Sequence, residues 1–212
     1  MNYILYAAVI FLASYLVGSI PWGLLIGKLY GKDVRKEGSG NIGATNVTRV
    51  VGPVQGKICF FLDFMKGFLP VLAVIILEAR GFIPNHSSFR IIAMVAPVVG
   101  HMFPIFLKFK GGKGISTAAG GILALSPPAC IGGLIIWAAA FLAFRYVSLA
   151  SILAAIAVPV LATVFNYFNW WVLPVPVQVL LYLLGLAAIL RHLSNIKRLL
   201  NGTENRFGPK KS

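Results

Sequence analysis

Apolar residues in this chain come in long blocks separated by short polar stretches. The first block, residues 3–30, carries Gly18-Ser19 and Pro21, which predict a kink or break within it. A polar, glycine-bearing stretch, 31–53, follows. The second block, 54–79, is apolar apart from inward-looking charges at Asp63 and Lys66. Pro84-Asn85 marks a turn in the polar stretch 81–89, and the third block covers 90–107. A basic glycine loop, 108–114, leads into residues 115–144, which are long for one span. Pro127-Pro128 divides them into a short helix and a longer one, because tandem prolines are a strong helix break. Residues 145–148 connect to the last two blocks, 149–165 and 171–190, which are joined by the aromatic turn 166–170. A basic tail, 191–212, closes the chain. A membrane-spanning helix needs about 20 predominantly apolar residues. The pattern therefore predicts an all-α integral membrane protein of seven transmembrane helices, one domain over residues 1–212. A five-span arrangement is the alternative, and it leaves overlong spans.

Composition narrows the class. Of 212 residues, 58% are apolar and 11% charged, against about 45–50% and about 25% in an average soluble domain. A soluble globular protein, a disordered chain and a disulfide-framework domain are all excluded. Seven spans of about 20 residues leave roughly 70 for loops and tails, so an active site has to be built from helix ends and short loops. Lys and Arg number 19 against 5 Asp and Glu, a net charge of +14. Sixteen of those 19 lie between residues 28 and 57, at 108–113, at Arg145 or in the tail; the intervening connections hold only Arg80 and Arg90. The positive-inside bias then predicts an external N-terminus and a cytoplasmic C-terminus, with Tyr167, Trp170 and Trp171 at the outer interface. Anionic lipid accounts for most of the basic excess, and an anionic substrate is the sharper reading. Nucleic acid fits poorly, because the basic residues sit in short loops rather than along one face. Cys59 and Cys130 fall near opposite ends of their spans, too far apart for a disulfide, and neither sits in a zinc pattern. The apolar N-terminus has no basic n-region, so no cleavable signal peptide is expected.

Four polar segments gather on the predicted cytoplasmic side. In SGNIGATNVTRVVG, 39–52, a helical reading places Asn41, Thr45, Thr48 and Arg49 in one arc. Ser39 or Asn41 would cap its start, and the helix start would suit an anion; the plainer reading is an amphipathic interfacial helix. In GHMFPIFLKFKGGKGIST, 100–117, Gly111, Gly112 and Gly114 surround Lys113. They are expected to turn backbone amides toward an anion, with the ammonium as a point charge, and to open a helix through Ser116 and Thr117. Gly114 follows Lys113 where a Walker A loop has Ser or Thr, so ATP binding is not supported. His101, in the last turns of the third span, is either a hydrogen-bonded helix residue or a site residue. In the segment 145–148, Ser148 is either a helix cap or a ligand. In RHLSNIKRLLNGTENRFG, 191–208, Arg191, His192, Asn195 and Arg198 fall on nearby faces of a terminal helix that Gly202 ends. Ionised groups at mid-membrane cost roughly 2.5–3.5 kcal/mol each, so Asp63 and Lys66 are expected to pair. The acidic residues and histidines are scattered, so neither a metal nor a cofactor is expected.

In this order between apolar spans, SGNIGATNVTR, GHMFPIFLKFKGGKGIST and HLSNIKRLLNGTE resemble the bacterial acyl-phosphate:glycerol-3-phosphate acyltransferases, the PlsY family, over about residues 18–208. The resemblance implies an inner-membrane enzyme whose active site faces the cytoplasm. It would transfer a fatty acyl group from acyl phosphate to the 1-hydroxyl of glycerol 3-phosphate. The products would be lysophosphatidic acid and phosphate, the first step of phospholipid biosynthesis. It implies catalytic or phosphate-handling roles for Ser39, Arg49, Lys113, His192 and Asn195, with Gly111, Gly112 and Gly114 flanking the lysine. Asn41, Thr45, His101 and Ser148 are added as substrate contacts, with Glu204, Asp63 and Lys66 in structural support. The partners implied are glycerol 3-phosphate, acyl phosphate and membrane lipid.

The His-x4-Asp pair of many glycerol-phosphate acyltransferases is absent: Ile91, Phe106 and Lys197 stand five positions after His86, His101 and His192. Cys59 lies inside a span. Direct attack by the substrate hydroxyl, without an acyl-enzyme, is therefore expected. Acyl phosphate is already activated, and the protein's task is positioning and charge stabilisation. One rival is a transporter of small phosphorylated anions, against which the polar residues gather at one surface. A membrane scaffold would need no such set of polar loops.

Overall fold

The computed structural model describes residues 3–207, which are helix, turn and loop with no strand among them. The end of the predicted basic tail, 208–212, lies outside the described residues. The chain divides into two compact units, residues 1–125 and 126–212.

In the first unit, α1 (Tyr3–Ser19) and α2 (Trp22–Leu29) are separated at Ile20-Pro21, the predicted break. Proline lacks the N–H needed to continue the helix. A short α3 (Ala44–Val50) precedes α4 (Pro53–Ala79), which starts on a proline whose missing N–H is no loss at that position. Then come α5 (Ser87–Met102), a 3-10 turn (Ile105–Leu107) and α6 (Ile115–Leu125). α1 packs on α5, α4 packs on α5 and α6, and α3 packs on α4. Between α4 and α6 the backbones touch: a Cβ at Gly67 would lie 1.9 Å from the Thr117 carbonyl oxygen, and one at Gly120 would lie 2.0 Å from that of Phe64. In lipid such close approach replaces the hydrophobic drive that water would supply. A second apolar core, built from Leu24, Val34, Ile42, Val47, Val50 and Cys59, ties the 31–43 loop to α2, α3 and α4.

In the second unit, α7 (Pro127–Phe144) begins at the proline pair, and Arg145 ends it in the left-handed region at φ 63°. α8 (Val147–Tyr167) packs against it, and α9 (Val175–Leu190) packs on α8. α9 starts at Val175 rather than at Trp171, because Pro174 and Pro176 favour a start there. α10 (Leu193–Leu200) leaves α9 at a bend of 53°.

By length and composition, five segments can cross a membrane: Tyr3–Leu29, Pro53–Ala79, Ser87–Leu107, Pro127–Phe144 and Val147–Tyr167. Counted as one broken span, the bent α9–α10 pair brings the number to six. The remaining expected span coincides with α6, whose 11 residues rise about 16 Å, roughly half of a 30 Å hydrocarbon core. Seven full-length spans are therefore not what the structure contains. Side chains such as Phe11, Phe61, Leu142 and Leu183 stand outward on these helices, where lipid would cover them.

Candidate active site

One buried amide organises the loop before α3. Asn46, 1% exposed, donates through Nδ2 to the carbonyls of Val34 (2.7 Å) and Glu37 (3.1 Å). Its Oδ1 accepts the Ser39 N–H at 2.8 Å, which pins an otherwise exposed Ser39. Asn41 Oδ1 accepts the Gly43 N–H at 2.8 Å, an Asx turn leading into α3. The helix is capped at Gly43 without a side chain. Neither Ser39 nor Asn41 is the cap, and Asn41 lies outside the helix; the expected arc is left with Thr45, Thr48 and Arg49. Lys32 Nζ donates to the Val50 carbonyl at the C-terminal end of α3, where a cation is favoured. Arg35 grips Asp33 through Nη2 (2.6 Å) and Nε (2.9 Å). That hydrogen bonding holds the Asp33 carboxyl well below the usual carboxylate range.

The loop bearing Lys113 folds back on the end of α5. Gly111 N–H donates to the Met102 carbonyl (3.1 Å) and Gly112 N–H to the His101 carbonyl (3.0 Å). These are carbonyls that a helix end leaves unsatisfied. The expectation that these two amides face an anion is thereby corrected, since both serve the protein's own backbone. Gly114 turns the chain at φ 77°, open to glycine without a Cβ penalty, and α6 follows with Ser116 and Thr117 in its first turn, as expected. Lys113 is half-buried. Leu107, just before the loop, packs against the core beneath residues 34–50, so both polar segments of this unit rest on one apolar cluster.

A chain of buried polar groups runs behind that loop. Asp63 (1% exposed) and Lys66 (3%) form the expected ion pair, Oδ1 to Nζ at 2.8 Å, and Lys66 also donates to the Ile20 carbonyl at the α1–α2 break (2.8 Å). His101 Nδ1 stands 3.5 Å from the same Asp63 oxygen, an electrostatic contact without hydrogen-bond geometry. On the other carboxylate oxygen, Cys59 Sγ donates at 3.6 Å. The opposite edge of the imidazole meets the loop: a Cβ at Gly112 would lie 2.1 Å from His101 Nε2.

In the second unit, Glu204 is the hub. Its Oε1 accepts from Asn195 Nδ2 (2.7 Å) and Ser148 Oγ (2.9 Å), and its Oε2 accepts from Arg198 Nε (2.7 Å). Burial pushes the Glu204 carboxyl up, but these donors and the Arg198 charge outweigh it and leave it below its ordinary value. Ser148 lies in the first turn of α8, whose N-cap is Tyr146; its hydroxyl ties the helix to Glu204 rather than capping it. His192 lies at the α9–α10 bend. Its Nδ1 lies 2.8 Å from the Ala188 carbonyl. A carbonyl only accepts, so Nδ1 carries the proton and Nε2 is the basic nitrogen of the neutral ring.

A family model described as glycerol-3-phosphate acyltransferase matches residues 8–202. The chain belongs to the glycerol-3-phosphate acyltransferase family. The family member from Aquifex aeolicus is 45% identical over 194 residues, 92% of this chain and 95% of that one. The member from Syntrophotalea carbinolica is 44% identical over 200 residues, 94% of this chain and 96% of its own. Among solved structures, PlsY (YgiH), an integral membrane glycerol 3-phosphate acyltransferase in its glycerol 3-phosphate form, superposes with a TM-score of 0.83 at 43% identity. It covers 95% of this chain and 96% of that one. Its lysophosphatidic acid form gives 0.81 at 42% identity.

Within this acyltransferase fold, the first unit seats Ser39, Thr45 and Arg49 on the loop and helix that share a core with the approach to Lys113. The second unit brings Ser148, Asn195 and Glu204 into contact. Two features escaped the sequence reading. Asn46 shares a helix face with Val47 and Val50, and an amide on an apolar face is tolerated only when its donors and acceptor are met; that was the available signal. The approach of His101 to both Asp63 and Gly112 has no signal in the sequence, because it brings α4 and the loop after α5 onto one ring only once the chain has folded. Cys59 and Cys130 are both buried thiols without a disulfide, as expected.

Proposed function

We propose that this chain transfers a fatty acyl group from acyl phosphate to the 1-hydroxyl of glycerol 3-phosphate, releasing lysophosphatidic acid and phosphate in the first step of phospholipid biosynthesis. The hydroxyl oxygen attacks the acyl carbonyl carbon, and the bond to the phosphate oxygen breaks. The hydroxyl proton goes to the departing phosphate or to His192 Nε2. No acyl-enzyme forms; the packing of Cys59 in an apolar core, with its thiol on Asp63, supports this. Lys113 and Arg49 hold the two anions, and Ser39, Asn41 and Thr45 bind around them. In the second unit, His192 and Asn195 serve the reaction, and Glu204 with Ser148 holds Asn195 in place. The observation that carries the reading is the shared apolar core beneath residues 34–50 and the approach to Lys113, in a chain 43% identical to a structure in its glycerol 3-phosphate form.

The matched stretch, 8–202, runs through both units, which supports one acyltransferase domain over 1–212. The charge bias supports seven membrane segments, α6 the short one, with the N-terminus outside, the C-terminus inside and the site facing the cytoplasm of a bacterial inner membrane. No cofactor enters this chemistry.

The test uses purified protein in lipidic medium with glycerol 3-phosphate and palmitoyl phosphate, following phosphate release and lysophosphatidic acid by mass, with palmitoyl-CoA in parallel. Equal yields of both products from acyl phosphate alone, lost in Lys113→Ala, are expected. Product from the CoA ester alone refutes the donor; no lysophosphatidic acid from either, in folded protein, refutes the reaction.

A further inference from the structure

Resting on the reading that Lys113 holds an anion, we propose that His101 is the positioning residue for the 111–114 loop and is itself aligned by Asp63. An ionisable pair deep in apolar helices is costly to keep unless it has a use, and Asp63 and His101 are only 1% and 3% exposed. The carboxylate has no need of the histidine, because Lys66 already balances it at 2.8 Å. The histidine does need the carboxylate: its Nδ1 has no hydrogen-bond partner, and Asp63 Oδ1 at 3.5 Å is the negative atom facing it. That attraction turns the opposite edge, Nε2, toward Gly112, where a Cβ would come within 2.1 Å. The loop therefore closes onto the imidazole and admits no side chain between them. The His101 carbonyl takes the Gly112 N–H and the next carbonyl takes that of Gly111. One residue thus holds the loop by ring and by backbone, directly before Lys113. Cys59 joins the same carboxylate to the core beneath residues 34–50, so the support of one polar segment is continuous with that of the other. His101 acts through Lys113 and does not touch substrate, which replaces its expected role as a substrate contact.

The test combines hydrogen exchange of the 108–114 segment, without substrate, with steady-state kinetics on His101→Ala and His101→Gln. Alanine removes the ring edge; glutamine returns an amide near the place of Nε2. The expected result is faster exchange at Gly111 and Gly112 by about tenfold or more in the alanine variant, a loss of kcat/KM of about 10–100-fold, unchanged exchange in α1, and partial recovery of both by glutamine. Wild-type exchange in the alanine variant overturns the proposal, as does fast exchange with full turnover. If the alanine variant does not fold, His101→Asn, which keeps an N–H toward Asp63 and lacks the far edge, decides by the same loop exchange. Full turnover in Lys113→Ala refutes the anion role of the lysine instead, and leaves the exchange result standing.

Discussion

Glu204 receives three donors from two helices, and its carboxylate is held below its ordinary value for that reason. The sign follows from the direction. A carboxyl whose folded value is depressed stabilises the fold above its unfolded value, near 4.3, and that contribution disappears as pH falls through the folded value. Thermal unfolding in detergent is expected to show wild type losing stability below about pH 4.3, whereas Glu204→Gln starts lower at neutral pH and lacks that acid-dependent loss. Asn46 is the other residue with several dependants. Asn46→Ala removes the partner of two carbonyls and one N–H, at about 1–3 kcal/mol for each buried group left unmet. A lowered unfolding midpoint together with reduced turnover is expected, because Ser39 loses its anchor; unchanged turnover would separate the loop's order from the chemistry. For His192, the bond from Nδ1 to Ala188 leaves Nε2 as the base. An acid limb in the rate profile of wild type, absent in His192→Gln, is expected if this nitrogen takes the proton; a limb present in both assigns it to the leaving phosphate.

Elements set what these residues can reach. α4 and α6 meet through Gly67 and Gly120 with no room for a methyl group against backbone. Gly120→Ala forces the helices apart, and overpacking of this kind typically costs about 1–3 kcal/mol. Lower stability with disturbed order at the start of α6 is expected by unfolding and hydrogen exchange; an unaltered midpoint would mean the helix pair is looser than its contacts imply. The 11-residue length of α6 follows from Pro127-Pro128, which end the helix within the apolar block before it has spanned a bilayer. The bend of 53° between α9 and α10 has a different origin: α10 is amphipathic and basic, with Lys197 and Arg198 in its last turn, and such a helix is suited to lie at an interface.

For the whole molecule, the charge distribution is a statement about orientation. Cysteines introduced singly at residues 36, 110 and 206 are expected to resist a membrane-impermeant thiol reagent in intact cells and to react after lysis, and one at residue 82 to react in both. Labelling of residue 36 or 110 from outside would reverse the orientation proposed here. Much of this organisation was legible along the chain. The apolar blocks, the proline breaks at Pro21 and Pro127, the Asp63–Lys66 pair and the three polar motifs are local, since hydropathy, missing donors and i,i+3 spacing act between near neighbours. Tertiary structure alone decided which groups those motifs use up. The loop glycines give their amides to α5, Asn41 sits outside α3, Ser148 serves Glu204, and His101 stands between Asp63 and Gly112. Ser148 with Glu204 and His101 with Asp63 meet across distant parts of the chain, and the loop glycines reach α5 only because the loop folds back on it; one-dimensional spacing carries no information about such meetings.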